Sequence, residues 1–411
     1  MNVAYYSPMP PERSGIADYS ALLVPALREH VDVHVVRRGR RRPPRGTDVC
    51  LYHIGNNPDA HGWIVEALRR WPGVVVLHEW VLHHLVSGLT LGRRDVAGYL
   101  EAMEREAGLV GRLLGLGVVD GCVPALWEQR AEDFALAGFI LDATRDRGVV
   151  VHSRYVEEHA RAAGYRGPHW RIPLAAWAPP KPEPIHVADG PVVGCFGNLT
   201  EAKRIPQLLE AFRLVHARRP EARLLLVGAA SPRLGLSKRL EGLEDAVVHA
   251  DYVDERRYFG LMAACDVCVN LRAPTMGETS ASALNVLALG RPLVVSDLGW
   301  FAELPDNVAI KIPVDEHEVP LLARALELLL EREDVRGEFS AAARAYVERE
   351  HDVGRVAEAY AAALEEAAGA DAVRDAVVAE IALAAADSGI EPGSPEADEL
   401  GVRLREARIG E

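Results

Sequence analysis

The sequence predicts an α/β protein: two doubly wound Rossmann-like domains facing a central cleft, with a helical C-terminal extension. Three observations carry this. Short apolar runs alternate with amphipathic helical stretches along most of the chain, as in parallel sheets covered on both faces. An aperiodic, proline-rich segment, PLAAWAPPKPEPIHVADGP at 173–191, interrupts that alternation midway and reads as a linker. The length of 411 residues suffices for two or three cores. The expected units are residues 1–178, residues 179–345, helices at 346–370 packing back on the body, and a helical tail at 371–411.

In the first unit the runs NVAYYS, VDVHVV, DVCLYHI, GVVVLH and GVVVHS read as strands. After the first of them, SPMPPERSGIADYSALLVPAL passes from loop to helix. Ser14 and Gly15 leave the helix start open to a ligand, and Asp18 falls in its first turn. No G-x-G-x-x-G accompanies them, so a plain strand-to-helix turn fits as well. RRGRRRPPRG, from Arg37 to Gly46, packs six arginines into ten residues. It reads as a solvated loop or as a contact for anionic lipid headgroups. The fourth run ends in LHEWVLHHL, with His78 at the strand's carboxyl end, where ligand groups gather. The second histidine comes one residue too late for H-E-x-x-H, which excludes that zinc motif; His83 and His84 read as a helix surface and its neighbour.

The second unit runs VVGCFGN, ARLLLVG, DVCVNL and PLVVSD. The first of these strands ends at Gly197, and Lys203 and Arg204 follow at the start of the next helix, where two cations suit a diphosphate. Arg272 follows the strand DVCVN on the loop that holds Glu278. The two can pair with each other, or face a sugar phosphate from two sides. Behind Glu278 come Thr279, Ser280, Ala281 and Ser282, then a short helix with Leu284, Leu287 and Ala288 on one face. Gly290 and Pro292 stop it. Small hydroxylated residues at a helix start leave backbone N–H groups accessible to an anion, although Thr279 or Ser280 also suits a simple cap.

A hydrophobic fraction of 49% and a charged fraction of 26% are those of an ordinary globular chain. Lys plus Arg 46 against Asp plus Glu 60 leaves −14, which argues against a nucleic-acid partner and demands a local cluster of cations for any anionic ligand. The N-terminus lacks a charged-then-apolar signal pattern and no run approaches a membrane span, so a cytoplasmic protein is expected, with peripheral membrane contact through Arg37–Arg45 as an option. The five cysteines, including the pair Cys265 and Cys268, read as reduced and mostly core residues.

Taken in order, SGIADYS, LHE, GNLTEAK and the block DYVDERRYFGLMAACDVCVNLRAPTMGETSASALNVLALGRPLVVSDLGWFAELP resemble the retaining glycosyltransferases of family 4, which have the GT-B fold. The resemblance covers roughly residues 1–365, is most specific from Asp251 to Pro305, and leaves the tail unmatched. It implies a nucleotide-diphosphate sugar held by the second domain and a hydroxyl acceptor held by the first. Glu278 then touches the donor sugar. The second carboxylate of the family's Glu, seven residues, Glu pattern falls on Asn285, which keeps ribose hydrogen bonding without charge. The family's diphosphate pair lands on Asn198 and Lys203: Lys203 fits, Asn198 departs, and Arg272 is our candidate for the missing charge. His78 matches the histidine near the acceptor, and backbone near Tyr252 and Val253 matches the base-reading segment. Gly15, Gly197, Thr279, Ser280 and Ala281 complete the donor lining. The implied chemistry is same-face displacement with His78, Glu278 and Lys203 as catalytic residues. No D-x-D pair is present, so neither a metal nor a cofactor beyond the donor is expected. An epimerase or hydrolase of nucleotide sugars on the same fold, and a catalytically silent partner protein, are the competing readings.

Overall fold

The structure, a computed structural model, describes residues 1–406 except 13, 41, 145–146 and 178–181. The expected boundary at 178 and 179, Arg41 of the arginine loop, and residues 407–411 of the tail lie outside the described residues.

Two six-stranded sheets, parallel throughout, organise the chain. The first comprises β1 (Asn2–Tyr6), β2 (Asp32–Val36), β3 (Val49–Ile54), β4 (Val74–Leu77), β5 (Val149–Val151) and β6 (His169–Arg171), ordered β2-β1-β3-β4-β5-β6. The second comprises β7 (Val192–Phe196), β8 (Arg223–Val227), β9 (Val247–Ala250), β10 (Val267–Asn270), β11 (Leu293–Ser296) and β12 (Ala309–Ile312), ordered β12-β11-β10-β7-β8-β9. The inner strands β3, β4, β7 and β10 are buried along their whole length, which explains their unbroken apolar runs. The strands the sequence did not disclose, β6, β9 and β12, all lie at sheet edges and are only partly buried, so HWR, VVHA and AIKI carry no such run. The strand order reverses between β1 and β3 in the first sheet and between β7 and β10 in the second. Open α/β sheets hold ligands at such a reversal, at the strands' carboxyl ends.

The C-terminal helices join the two halves. Helix Glu333–Glu350 packs on helix Ala281–Ala288 of the second domain. Helix Val353–Asp387 then crosses back to pack on helix Gly15–Leu27 and β3 of the first. It passes without interruption through the expected division at 370 and 371, and a further helix follows at Pro395–Glu406. Its Tyr360 is fully buried, with the Tyr19 hydroxyl donating to its hydroxyl at 3.4 Å. Among the described residues no helix is long and apolar enough to cross a membrane.

Candidate functional site

Lys203 ends a short 3-10 turn, Glu201–Lys203, capped by the Thr200 hydroxyl, which accepts from the Lys203 amide (3.3 Å). The next residue, Arg204, takes a left-handed φ of 55° and sends its side chain to Glu318, with Nε at 2.9 Å. The Lys-Arg pair is thereby split: Arg204 is committed to an ion pair, and Lys203 turns inward. Only 9% exposed, Lys203 donates from Nζ to the Phe196 carbonyl at the end of β7 (2.9 Å). Burial pushes its pKa down to about 8; Arg272 pushes the same way, while Cys195 and Glu278 oppose. Gly197 makes room for it. That residue has φ +97°, and a Cβ there would sit 2.4 Å from Nζ.

Arg272 begins the loop after β10, its amide donating to the Ser296 hydroxyl (2.9 Å). Its Nε lies 2.6 Å from Glu278 Oε1, an ion pair with both side chains largely shielded from solvent. The other Glu278 oxygen accepts from the Met276 amide (2.8 Å) and the Thr275 hydroxyl (3.4 Å). Glu278 is thus held from two sides. Behind it, Ser280 caps helix Ala281–Ala288 by accepting from the Ala283 amide. Asn270, at the end of β10, donates to the hydroxyls of Ser282 (2.8 Å) and Ser280 (3.3 Å). The Thr279 hydroxyl and the Asn270 amide oxygen are buried without a protein partner, two polar atoms left for something else. Asn285 lies beside the buried Tyr258 hydroxyl and counters part of the rise that burial gives that phenol's pKa.

The first domain reaches this loop directly. The amides of Trp80 and Val81 donate to the Met276 carbonyl (2.8 and 3.0 Å), and a Cβ on Gly277 (φ +78°) would come within 2.5 Å of the Trp80 Cβ. Just before them, His78 is half-buried at the end of β4, its Nε2 sharing a 2.9 Å hydrogen bond with Nδ1 of the fully buried His53. Burial, reinforced by His152 and His53, holds the His78 pKa well below the ordinary imidazole value. His78 is therefore neutral at physiological pH.

Glu79 is a site residue that the sequence reading passed over. Its Oε1 accepts from the Asn56 amide (2.8 Å), and Glu278 and Arg272 of the other domain lie within electrostatic reach. Burial raises its pKa to about 7, and Glu278 adds to the rise against the Asn56 amide and Arg272. Its position beside His78 in LHE was the available signal.

Lys203, Arg272, Glu278, Thr279 and Ser280 come together at the reversal of the second sheet, and the segment after His78 faces them. Gly15 starts helix Gly15–Leu27 with open space around it, and Asp18 lies near enough to Glu255 to raise its pKa after burial, so that helix start looks across at the segment after Tyr252. Tyr252 is 72% exposed, Val253 is partly buried, and Asn198 is exposed beside Gly197. One expectation fails. His83 is not on a helix surface; it is fully buried, sharing a 3.0 Å hydrogen bond with the Tyr99 hydroxyl among Trp127 and Phe134. Its helix, His83–Leu89, is covered by neighbouring segments, which the local pattern could not reveal. Cys265 and Cys268 are buried free thiols, whereas Cys122 is exposed.

Residues 190–332 match the family model of glycosyl transferases group 1. No curated protein matches the chain significantly. Among solved structures, Anabaena Alr3699/HepE in complex with UDP and glucose is similar over 89% of this chain and 100% of its own, with 16% identity and a TM-score of 0.58. Sucrose-phosphate synthase from Thermosynechococcus elongatus is similar over 87% of this chain and 96% of its own, with 20% identity and a TM-score of 0.53. The chain spans only 46% of the length of S. aureus TarM (17% identity, 56% of this chain, TM-score 0.48). With its two reversing parallel sheets, the protein has the GT-B fold, and its second domain is matched by glycosyl transferases group 1.

Proposed function

We propose that the protein is a retaining glycosyltransferase that moves a hexose-type sugar from a nucleotide-diphosphate sugar to a hydroxyl acceptor. One observation carries the reading most. A buried lysine bonded to a single carbonyl sits beside an Arg–Glu pair at the switch point of a sheet, inside the segment matched by glycosyl transferases group 1. A cation in that setting gains most from an anion that enters and excludes water. The similar Anabaena protein was captured with UDP-glucose, and a nucleoside-diphosphate hexose is the donor class we assign here.

In the proposed reaction the bond from the anomeric carbon to the β-phosphate oxygen breaks while the acceptor oxygen bonds to the same face. The acceptor's proton passes to the departing phosphate oxygen. Lys203, with Arg272 reaching from its pair with Glu278, stabilises the charge that grows on the leaving group. Glu278, fixed by the Met276 amide, holds a donor hydroxyl. His78 orients the sugar or the acceptor. This scheme assigns no task to a metal.

The test combines the purified protein with a panel of nucleotide-diphosphate sugars and polyol, glycan and lipid acceptors. Product that forms only when donor and acceptor are both present supports the reading. Epimer or free sugar from donor alone points to the epimerase or hydrolase. A thermal-shift panel in which no nucleoside diphosphate stabilises the protein indicates a silent partner protein.

A further inference from the structure

Four histidines gather at the end of β4: His78 itself, His53 on β3, His61 on the following helix and His152 just after β5, with Tyr19 against them from helix Gly15–Leu27. His53 and His78 share one hydrogen bond, Nδ1 to Nε2, and geometry alone leaves its direction open. The neighbours settle it. His152 Nδ1 lies 2.8 Å from the Ile172 carbonyl, His61 Nδ1 lies 3.1 Å from the His53 carbonyl, and His351 Nδ1 lies 2.7 Å from the Leu174 carbonyl. A carbonyl only accepts, so in each of these rings the proton is on Nδ1 and Nε2 is the bare nitrogen. The Nε2 atoms of His152 and His351 are buried without a partner, as is Nε2 of His53. In His152 and His351, then, this interior leaves a lone pair unpartnered and spends the N–H. A buried N–H without an acceptor is the rarer and costlier arrangement.

The same rule applied to His53 puts its proton on Nδ1, donating to His78 Nε2. We propose that His53 is a positioning residue that holds His78 in the neutral tautomer protonated on Nδ1, making it a hydrogen-bond donor to the bound sugar or acceptor and not a proton acceptor. The reach to substrate rests on the glycosyl-transfer reading above; the tautomer does not. Lowered pKa values support the neutral state: burial acts first on both rings, with His152 adding to it for each. The assignment also agrees with a mechanism in which the leaving phosphate takes the acceptor's proton, because a His78 already capped on Nε2 and protonated on Nδ1 has no free lone pair to offer.

The experiment is nitrogen-15 NMR of the histidine-labelled full-length protein at neutral pH, with His78 signals identified by their loss in His78→Gln. The expected wild-type spectrum shows His78 with Nδ1 protonated and Nε2 bare. In His53→Leu the ring should revert toward the Nε2–H form that free imidazole side chains favour, and kcat should fall about tenfold with little change in KM. His53→Asn, whose amide can donate from nearly the same place, should restore both the Nδ1–H spectrum and most of kcat. A wild-type His78 protonated on Nε2 overturns the proposal, and so does a His53→Leu protein whose His78 keeps its proton on Nδ1. If His53→Leu does not fold, the wild-type spectrum alone decides. The spectra need no donor, so a protein with the stated tautomer but no transfer activity refutes the glycosyl-transfer reading and leaves the His53 assignment standing.

Discussion

At the carboxyl ends of its two sheets the molecule keeps different chemical company. The first sheet ends in imidazoles and phenols, His53, His78, His152 and Tyr19, all packed together and all uncharged. The second ends in Lys203, Arg272 and Glu278, charged groups shielded from water but in reach of one another. Burial taxes charge on both sides, yet only the second sheet keeps it. The difference suits the division of labour we propose: an ionic half for an anionic leaving group, and a neutral half that directs hydroxyls. It also shows how a chain of net charge −14 keeps a cation unpaired by a carboxylate, by sending Arg204 to Glu318 and turning Lys203 to the Phe196 carbonyl.

The comparison breaks most readily on its charged side. Lys203→Ala and Glu278→Ala should each lower turnover by about ten- to a hundredfold, the equivalent of one charge-assisted hydrogen bond of about 1.5–3 kcal/mol. Near-wild-type turnover in both would remove the charged half from the chemistry. Gly197→Ala attacks the same lysine through the backbone: a Cβ 2.4 Å from Nζ at φ +97° should cost about 1–3 kcal/mol of stability and weaken nucleotide binding as well, read by calorimetry with and without a nucleoside diphosphate.

A smaller effect lies where the two halves meet. Glu79 is pushed from the ordinary 4.5 up to about 7 by burial and then by Glu278. A carboxyl with a raised folded-state pKa contributes stability that is complete below its unfolded value and is lost as pH rises through the folded one. Wild type should therefore lose stability relative to Glu79→Gln between about pH 4.5 and 7, and a pH series of thermal midpoints checks that window. Least of all, sedimentation with anionic liposomes separates the two readings of the arginine loop: exchanging the Arg37–Arg45 arginines for glutamine should reduce it severalfold where they contact headgroups and leave it unchanged where the loop is merely solvated.

How far the sequence could be read follows the same divide. The charged half was legible because Gly197, Lys203, Arg272 and Glu278 stand next to strand ends in sequence, and local adjacency places them at the sheet's switch point. The buried strands were legible from unbroken apolar runs; the edge strands β6, β9 and β12 were not, because each is short and only partly buried. The neutral half was largely hidden. His53, His78 and His152 lie on or just past separate strands, and only the order β3-β4-β5 makes them neighbours. His83 misled for a related reason, since the rings that cover it, Tyr99, Trp127 and Phe134, come from later in the chain. That Asn285 lies beside Tyr258, 27 residues earlier in the chain, is likewise a matter of packing.

The polypeptide passes between the two halves twice, and the passages touch. The Ala176 amide donates to the His351 carbonyl at 2.9 Å, and His351 Nδ1 lies 2.7 Å from the Leu174 carbonyl, so the proline-rich connector and the returning segment are stitched side by side. A single strand would let one lobe swivel in any direction about the other. Two bonded segments resist such rotation, because turning one lobe against the other would pull the Ala176–His351 and Leu174–His351 pairs apart. One cut in the connector would nick the chain without freeing either lobe.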